Sequence, residues 1–170
     1  DEFLKNKIEI ISQKTYLNSL LLSEGRYTKK KLSKDTLSDI GFGMDYARKL
    51  TELDIGQTVV VLNQTILAVE AIEGTDEAIL RGGNLSNRKG AIVCKSARKD
   101  QDNRFDLPGI GIQTLRSMKE SGCSTLAFQA GETLVVNPKE VIEFAEKCKI
   151  NLVSFGNSGV RILNGNQKRI

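Results

Sequence analysis

The sequence predicts one α/β domain built on a mixed sheet with flanking helices. Three observations carry that expectation. Short β-branched runs such as TVVVL alternate with segments whose apolar residues recur at helical spacing. Capping and turn residues separate the two kinds of segment. Hydrophobic content of 39% and charged content of 27% over 170 residues are those of a globular chain long enough to enclose a core.

The elements follow in order. Residues 1–28 hold the apolar run IEII and then TYLNSLLL, read as a strand and a short helix, too little for a domain alone. From Ser33 onward, Leu37, Ile40, Met44, Ala47 and Leu50 keep helical spacing. Ser33 suits the N-cap, and this helix should end near Asp54 to Gly56, with Gly41 and Gly43 weakening it but permitting close packing. TVVVLNQTILAVEA reads as a hairpin, with strands at 58–62 and 65–70 joined by Asn63 and Gln64. Thr75 can cap a short helix ending at Gly82 and Gly83, whose first turn carries Asp76 and Glu77. Residues 90–97 form a strand, and residues 111–122 a helix with Leu115 and Met118 facing inward. STLAFQAGETLVV gives two more strands around a turn at 130–132. Asn137 caps and Pro138 opens a helix bearing Val141, Ile142, Phe144 and Ala145. Residues 150–156 are the last strand.

The expected organisation is residues 1–32 as a remnant of an amino-terminal domain or a linker, 33–56 as a connecting helix, 57–157 as the α/β domain and 158–170 as a polar tail. The acidic start, with no apolar core segment, is not a signal peptide. Without an initiator Met, it reads as a fragment of a longer chain. No apolar run is long enough to span a bilayer.

Composition narrows the chemistry. The chain has no His, so no Ser-His or Cys-His nucleophile and no His-ligated zinc is possible. Cys94, Cys123 and Cys148 are widely spaced and read as reduced core thiols of a cytoplasmic protein. Any metal must be held by oxygen, which favours Mg²⁺, Mn²⁺ or Ca²⁺. General acid and base work falls to Asp, Glu, Lys, Tyr or a metal-bound water. The net charge is +4 and the pI about 9.0. Clusters at Lys29, Lys30, Lys31 and Lys34, and from Arg88 to Arg104, suit an anionic partner. A nucleic-acid module is disfavoured, because aromatics are 5% of the chain, no such motif occurs, and the central basic run is interleaved with acids.

Two charged loops are expected to leave the carboxyl ends of strands, where α/β domains gather ligands. One is EAIEGTD, residues 70–76. The other runs from Lys95 to Gly111 and includes KDQDNRFDLPGIG, with Asp100, Asp102 and Asp106 beside Lys99 and Arg104. Together, Glu70, Glu73, Asp76, Asp102 and Asp106 would face Lys95, Lys99 and Arg104. Acids and cations in one cleft suit divalent-metal chemistry on a phosphate. Each also has a plain alternative: a turn aspartate at Asp106, a first-turn helix acid at Asp76, solvated charges at Glu70 and Glu73. Gly109 and Gly111 fit a helix start, but neither a P-loop nor a complete dinucleotide fingerprint is present.

DIGQTVVV, LAVEAIEGTDEAI, KSARKDQDNRFDLPGIG, AFQAGETLVV and LVSFG occur in that order. Together they resemble the carboxyl-terminal domain of the bacterial UDP-2,3-diacylglucosamine pyrophosphatases unrelated to metallophosphoesterases, over about residues 33–156. The resemblance implies a cytoplasmic enzyme of lipid A biosynthesis that splits the pyrophosphate of UDP-2,3-diacylglucosamine, with Mg²⁺ or Mn²⁺ as cofactor. It makes 57–157 the catalytic domain and Asp106 the catalytic aspartate. Asp102 and Arg104 would assist at the reaction. Lys95, Lys99, Gln101, Thr75 and Gly74 would bind substrate, and Glu70, Glu73 and Asp76 would hold metal. Peripheral contact with the inner membrane and a homo-oligomer are compatible with this; nucleic acid is not a partner. The rival reading is a non-catalytic domain that binds a UDP-sugar or lipid. Two departures stand out: Gln129 and Asn137 replace acids common in that family, and neither is expected to touch the proposed catalytic loop. The family also carries an amino-terminal domain, of which residues 1–28 would be the last pieces.

Overall fold

The β-branched runs pair into one six-stranded mixed sheet in the order β1 (Gly25–Arg26), β8 (Asn151–Phe155), β6 (Thr125–Gln129), β4 (Ile92–Lys95), β2 (Thr58–Leu62) and β3 (Thr65–Val69). The structure, a computed structural model, describes residues 2–8, 11–98 and 107–156. The three central strands β4, β6 and β8 are parallel, while β1, β2 and β3 pair antiparallel at the two margins.

Side chains alternate between the two faces of a strand, and each face here has its own core. Val59, Val61, Ile92, Cys94, Ala127, Val153 and Phe155 pack on one side against Ile40, Met44, Ala47 and Leu50 of α3 (Lys34–Glu52). Val60, Val93, Leu126, Phe128 and Leu152 pack on the other against α4 (Thr75–Leu85), α5 (Ile112–Ser121) and α6 (Pro138–Cys148), through Ile79, Leu115, Met118, Val141 and Ala145. Covered on both faces, β4, β6 and β8 are buried at every residue, which is why IVCK and TLAFQ read as runs without polar alternation. Fully burying one such aliphatic side chain contributes about 1.5–3 kcal/mol. α3 therefore supplies one whole layer.

Local signals account for most boundaries. Ser33 caps α3, its Oγ accepting the Thr36 N–H at 3.0 Å. Asn63 and Gln64 both take positive φ (50° and 53°), the mirror-image turn whose twist suits a hairpin. Asp39, buried on α3, accepts the N–H groups of both turn residues at 2.8 and 2.7 Å. Cys94 and Cys123 are buried, and burial pushes both thiols up.

Four expectations are corrected. Gly82 and Gly83 do not end α4 but lie inside it. A Cβ at Gly82 would meet Val60 at 2.6 Å and one at Gly83 would meet Ser121 at 2.4 Å, so these glycines let the helix approach β2 and α5. Residues 125–136 do not form a hairpin. β6 has parallel neighbours on both sides and no free edge, so β7 (Leu134–Val135) pairs instead with β5 (Gly109–Ile110) in a separate two-stranded sheet. Asn137 occupies the N-cap of α6 in the left-handed region without the expected side-chain capping bond. At the amino end, Ile8 and Ile11 lie outside any strand; the helices are α1 (Glu2–Lys5) and α2 (Gln13–Leu17), and the strand is β1, on the margin of the main sheet. The expected tail, 158–170, is outside the described residues. Among the described residues, no helix is long and apolar enough to cross a membrane.

Candidate active site

β4, β6 and β8 deliver their carboxyl ends to one edge of the sheet. The antiparallel hairpin brings the start of β2 and the end of β3 to the same edge. Lys95 closes β4 opposite Thr58, and Glu70 follows β3 directly. Gly56 permits this crowding: a Cβ there would sit 2.2 Å from the Glu70 carbonyl oxygen. α4 begins at the same edge, with Gly74 at its N-cap.

Lys95 is only 3% exposed. Its Nζ donates to Thr75 Oγ1 at 2.7 Å and to Thr58 Oγ1 at 3.4 Å. Thr75 in turn donates to Glu70 Oε1 at 2.8 Å, and Glu70 Oε2 accepts the Gln57 N–H at 3.3 Å. Thr75 was expected to cap α4; Gly74 stands at that position without a capping side chain, and the Thr75 hydroxyl instead links ammonium to carboxylate. Asp76 Oδ1 is buried and has no hydrogen-bond partner among the described residues. Burial pushes the Asp76 carboxyl above its usual range, against the pull of the Lys95 charge and with a push from Glu77 and Glu70.

The structure thus brings together Glu70, Gly74, Thr75, Asp76 and Lys95. Glu73 goes elsewhere. Its Oε1 takes the Arg81 guanidinium at 2.5 Å and its Oε2 the Ala71 N–H at 3.2 Å; its carboxyl is held below the usual range first by backbone hydrogen bonding and then by Arg81. Lys99, Gln101, Asp102, Arg104 and Asp106 lie outside the described residues. Among the described residues, no group of three or more acids or thiols forms a ready metal site. Asp76 Oδ1, buried and unpartnered with the Glu70 carboxylate near enough to couple to it, is the described carboxylate oxygen best suited to a hard cation.

Three residues at this edge escaped the sequence reading of the site. Thr58 lies at the head of a wholly apolar strand, and only the β2–β4 register sets it against Lys95. Ser96 and Gln129 are buried side by side: Gln129 Oε1 accepts the Ser96 hydroxyl and the Ala97 N–H, each at 3.0 Å. The expectation that Gln129 stands clear of the proposed catalytic loop is therefore corrected, since it grips the two residues that lead into it. A buried Gln at the end of an apolar strand was the available signal.

The chain was compared with known proteins. The family model of the LpxI C-terminal domain matches residues 23–153. A curated protein of Caulobacter vibrioides, UDP-2,3-diacylglucosamine pyrophosphatase LpxI, is 34% identical over 153 residues, covering 86% of this chain and 55% of the relative. The chain spans about half the length of that relative.

Proposed function

The chain belongs to the LpxI C-terminal domain family, and from that premise we propose that it hydrolyses the pyrophosphate of UDP-2,3-diacylglucosamine, giving UMP and 2,3-diacylglucosamine 1-phosphate in lipid A biosynthesis. The observation that carries this is the family match over residues 23–153, which includes every residue of the site described above. The chemistry of the edge agrees with it. A buried ammonium, a threonine hydroxyl and two carboxylates converge where α/β sheets hold their ligands.

In this reading Lys95 neutralises a phosphoryl oxygen, and Thr58 and Thr75 fix its direction. Glu70 accepts from Thr75 and thereby orients that hydroxyl. Asp76, aided by Glu70, would hold the divalent cation, Mg²⁺ or Mn²⁺, which when bound supplies positive charge to the pyrophosphate oxygens. Glu73 is not given that role, because Arg81 already engages it. Asp106, with Asp102 and Arg104, would position and deprotonate the attacking water and steady the developing charge. The reading also places the protein in the cytoplasm, at the inner membrane surface where its lipid substrate resides.

The deciding assay is UMP release from UDP-2,3-diacylglucosamine by this chain, with Mg²⁺ and with a chelator. Release that requires the metal is expected, with loss of turnover in a folded Asp106→Ala variant. No release from this chain and from a longer one bearing an amino-terminal domain would sink the enzyme reading.

A further inference from the structure

Resting on the pyrophosphatase reading, we propose that Gln129 is a positioning residue: its carboxamide fixes Ser96 and Ala97 at the exit of β4 and so the backbone that carries Lys95. The argument begins with strand register. β4 and β6 run parallel with Lys95 opposite Phe128, so Gln129, the last residue of β6, lies beside the chain leaving β4. There the regular ladder stops on the β6 side, since the chain turns away and the Ala130 N–H donates to Phe155 O at 2.9 Å. The Gln129 side chain takes over. Its Oε1 accepts both the Ser96 hydroxyl and the Ala97 N–H at 3.0 Å, where a further β6 carbonyl would otherwise be needed. On the opposite side the Ser96 N–H donates to Gln57 O at 3.0 Å.

Two extra rungs therefore extend β4 past Lys95, and one of them depends on a single side-chain oxygen. Ser96, Ala97 and Gln129 are all buried, at 0%, 4% and 8% exposure, so no water stands ready to replace that oxygen. Leaving a buried donor unmade costs more than the bond itself contributes, so the exit from β4 is held firmly. Arg98 follows, its Nη1 on Asp54 Oδ1 at 2.8 Å, and then the segment carrying Asp102, Arg104 and Asp106. Gln129 reaches neither phosphate nor water in this scheme; it acts through the backbone of Ser96 and Ala97, directly after Lys95.

The test uses this chain with Gln129→Leu, which keeps the bulk and removes the acceptor, and Gln129→Glu, which restores an acceptor oxygen. UMP release with Mg²⁺ gives kcat and KM, and hydrogen exchange reads the Ala97 amide. In Gln129→Leu, kcat should fall about 10- to 100-fold with a smaller change in KM, and Ala97 exchange should quicken at least about 10-fold. Gln129→Glu should recover both. If Gln129→Leu does not fold, Gln129→Asn, which withdraws the oxygen by one methylene, should move both quantities the same way. Unchanged Ala97 exchange in the folded variants overturns the anchor. Faster exchange with the parent's kcat overturns the positioning role. If this chain releases no UMP, kcat and KM are read in a longer chain bearing an amino-terminal domain; no release there either refutes the pyrophosphatase reading, and the anchor is then judged on Ala97 exchange alone.

Discussion

At the amino ends of β4, β6 and β8 the polar side chains that close the sheet are neutral; at the carboxyl end of β4 ionisable ones join them. On the amino side Asn151 Nδ2 donates to Thr125 Oγ1 at 3.1 Å, Ser124 Oγ to Gly90 O at 2.6 Å and Ser86 Oγ to Gly83 O at 2.6 Å. Hydroxyls and an amide close that end of the sheet and hold neighbouring loops in place. On the carboxyl side β4 ends at Lys95, linked through Thr75 to Glu70 and near Asp76, and burial works against the charged form of Asp76. Keeping charge at a partly dry edge costs stability, and a neutral set would have closed the sheet as well. The contrast teaches that one edge is closed by neutral groups alone while the other carries charge at a cost to stability, as the proposed function would require.

The largest expected break in this contrast is Lys95→Met. It removes the one described ammonium within reach of Thr58 and Thr75 and should cut kcat/KM for UMP release about 100-fold, with circular dichroism still showing a folded chain. The opposite edge should respond in the opposite way. Asn151→Leu leaves Thr125 without its amide donor and should lower stability in denaturant titration by about 1–3 kcal/mol, while kcat stays at the parent's value. A loss of turnover there without a loss of stability would erase the distinction between the edges.

The smallest effect sharpens the electrostatic side. Asp76 has a raised pKa in the fold, so its favourable contribution exists at acid pH and disappears as pH rises through that raised value. At pH above the ordinary carboxylate range, the partly buried group therefore opposes folding. Asp76→Asn should therefore raise Tm by about 2 °C at pH 7 in the absence of divalent cation, with the gain shrinking toward pH 4. Equal gains at both pH values would show that desolvated charge is not the cause.

Much of the scaffold was legible in the residues because its signals are local. Ser33 capped α3, the Asn63-Gln64 pair made the hairpin turn, and the unbroken apolar runs became the doubly covered strands. Three of the misreadings concern partners beyond the local window. Gly82 and Gly83 look like a helix stop until Val60 and Ser121 are seen against them. Leu134 and Val135 look like the second arm of a hairpin until β8 is found on the edge they would have used. Thr75 looks like a cap because its other partners, Lys95 and Glu70, are 20 and 5 residues away.

The residues alone settle the chemistry on offer. With no His, acid and base work is left to Asp, Glu, Lys, Tyr or a metal-bound water, and the EAIEGTD and RFDLP blocks carry the family resemblance. They also settle most helices and strands, since periodicity and capping act over a few neighbouring positions. Strand order and register belong to the folded chain. They set Lys95 against Thr58, seat Thr75 between Lys95 and Glu70, turn Glu73 away to Arg81, and lay Gln129 beside Ser96. Those choices follow from burying two apolar sheet faces at once, a balance struck across the whole domain and written in no single stretch of it.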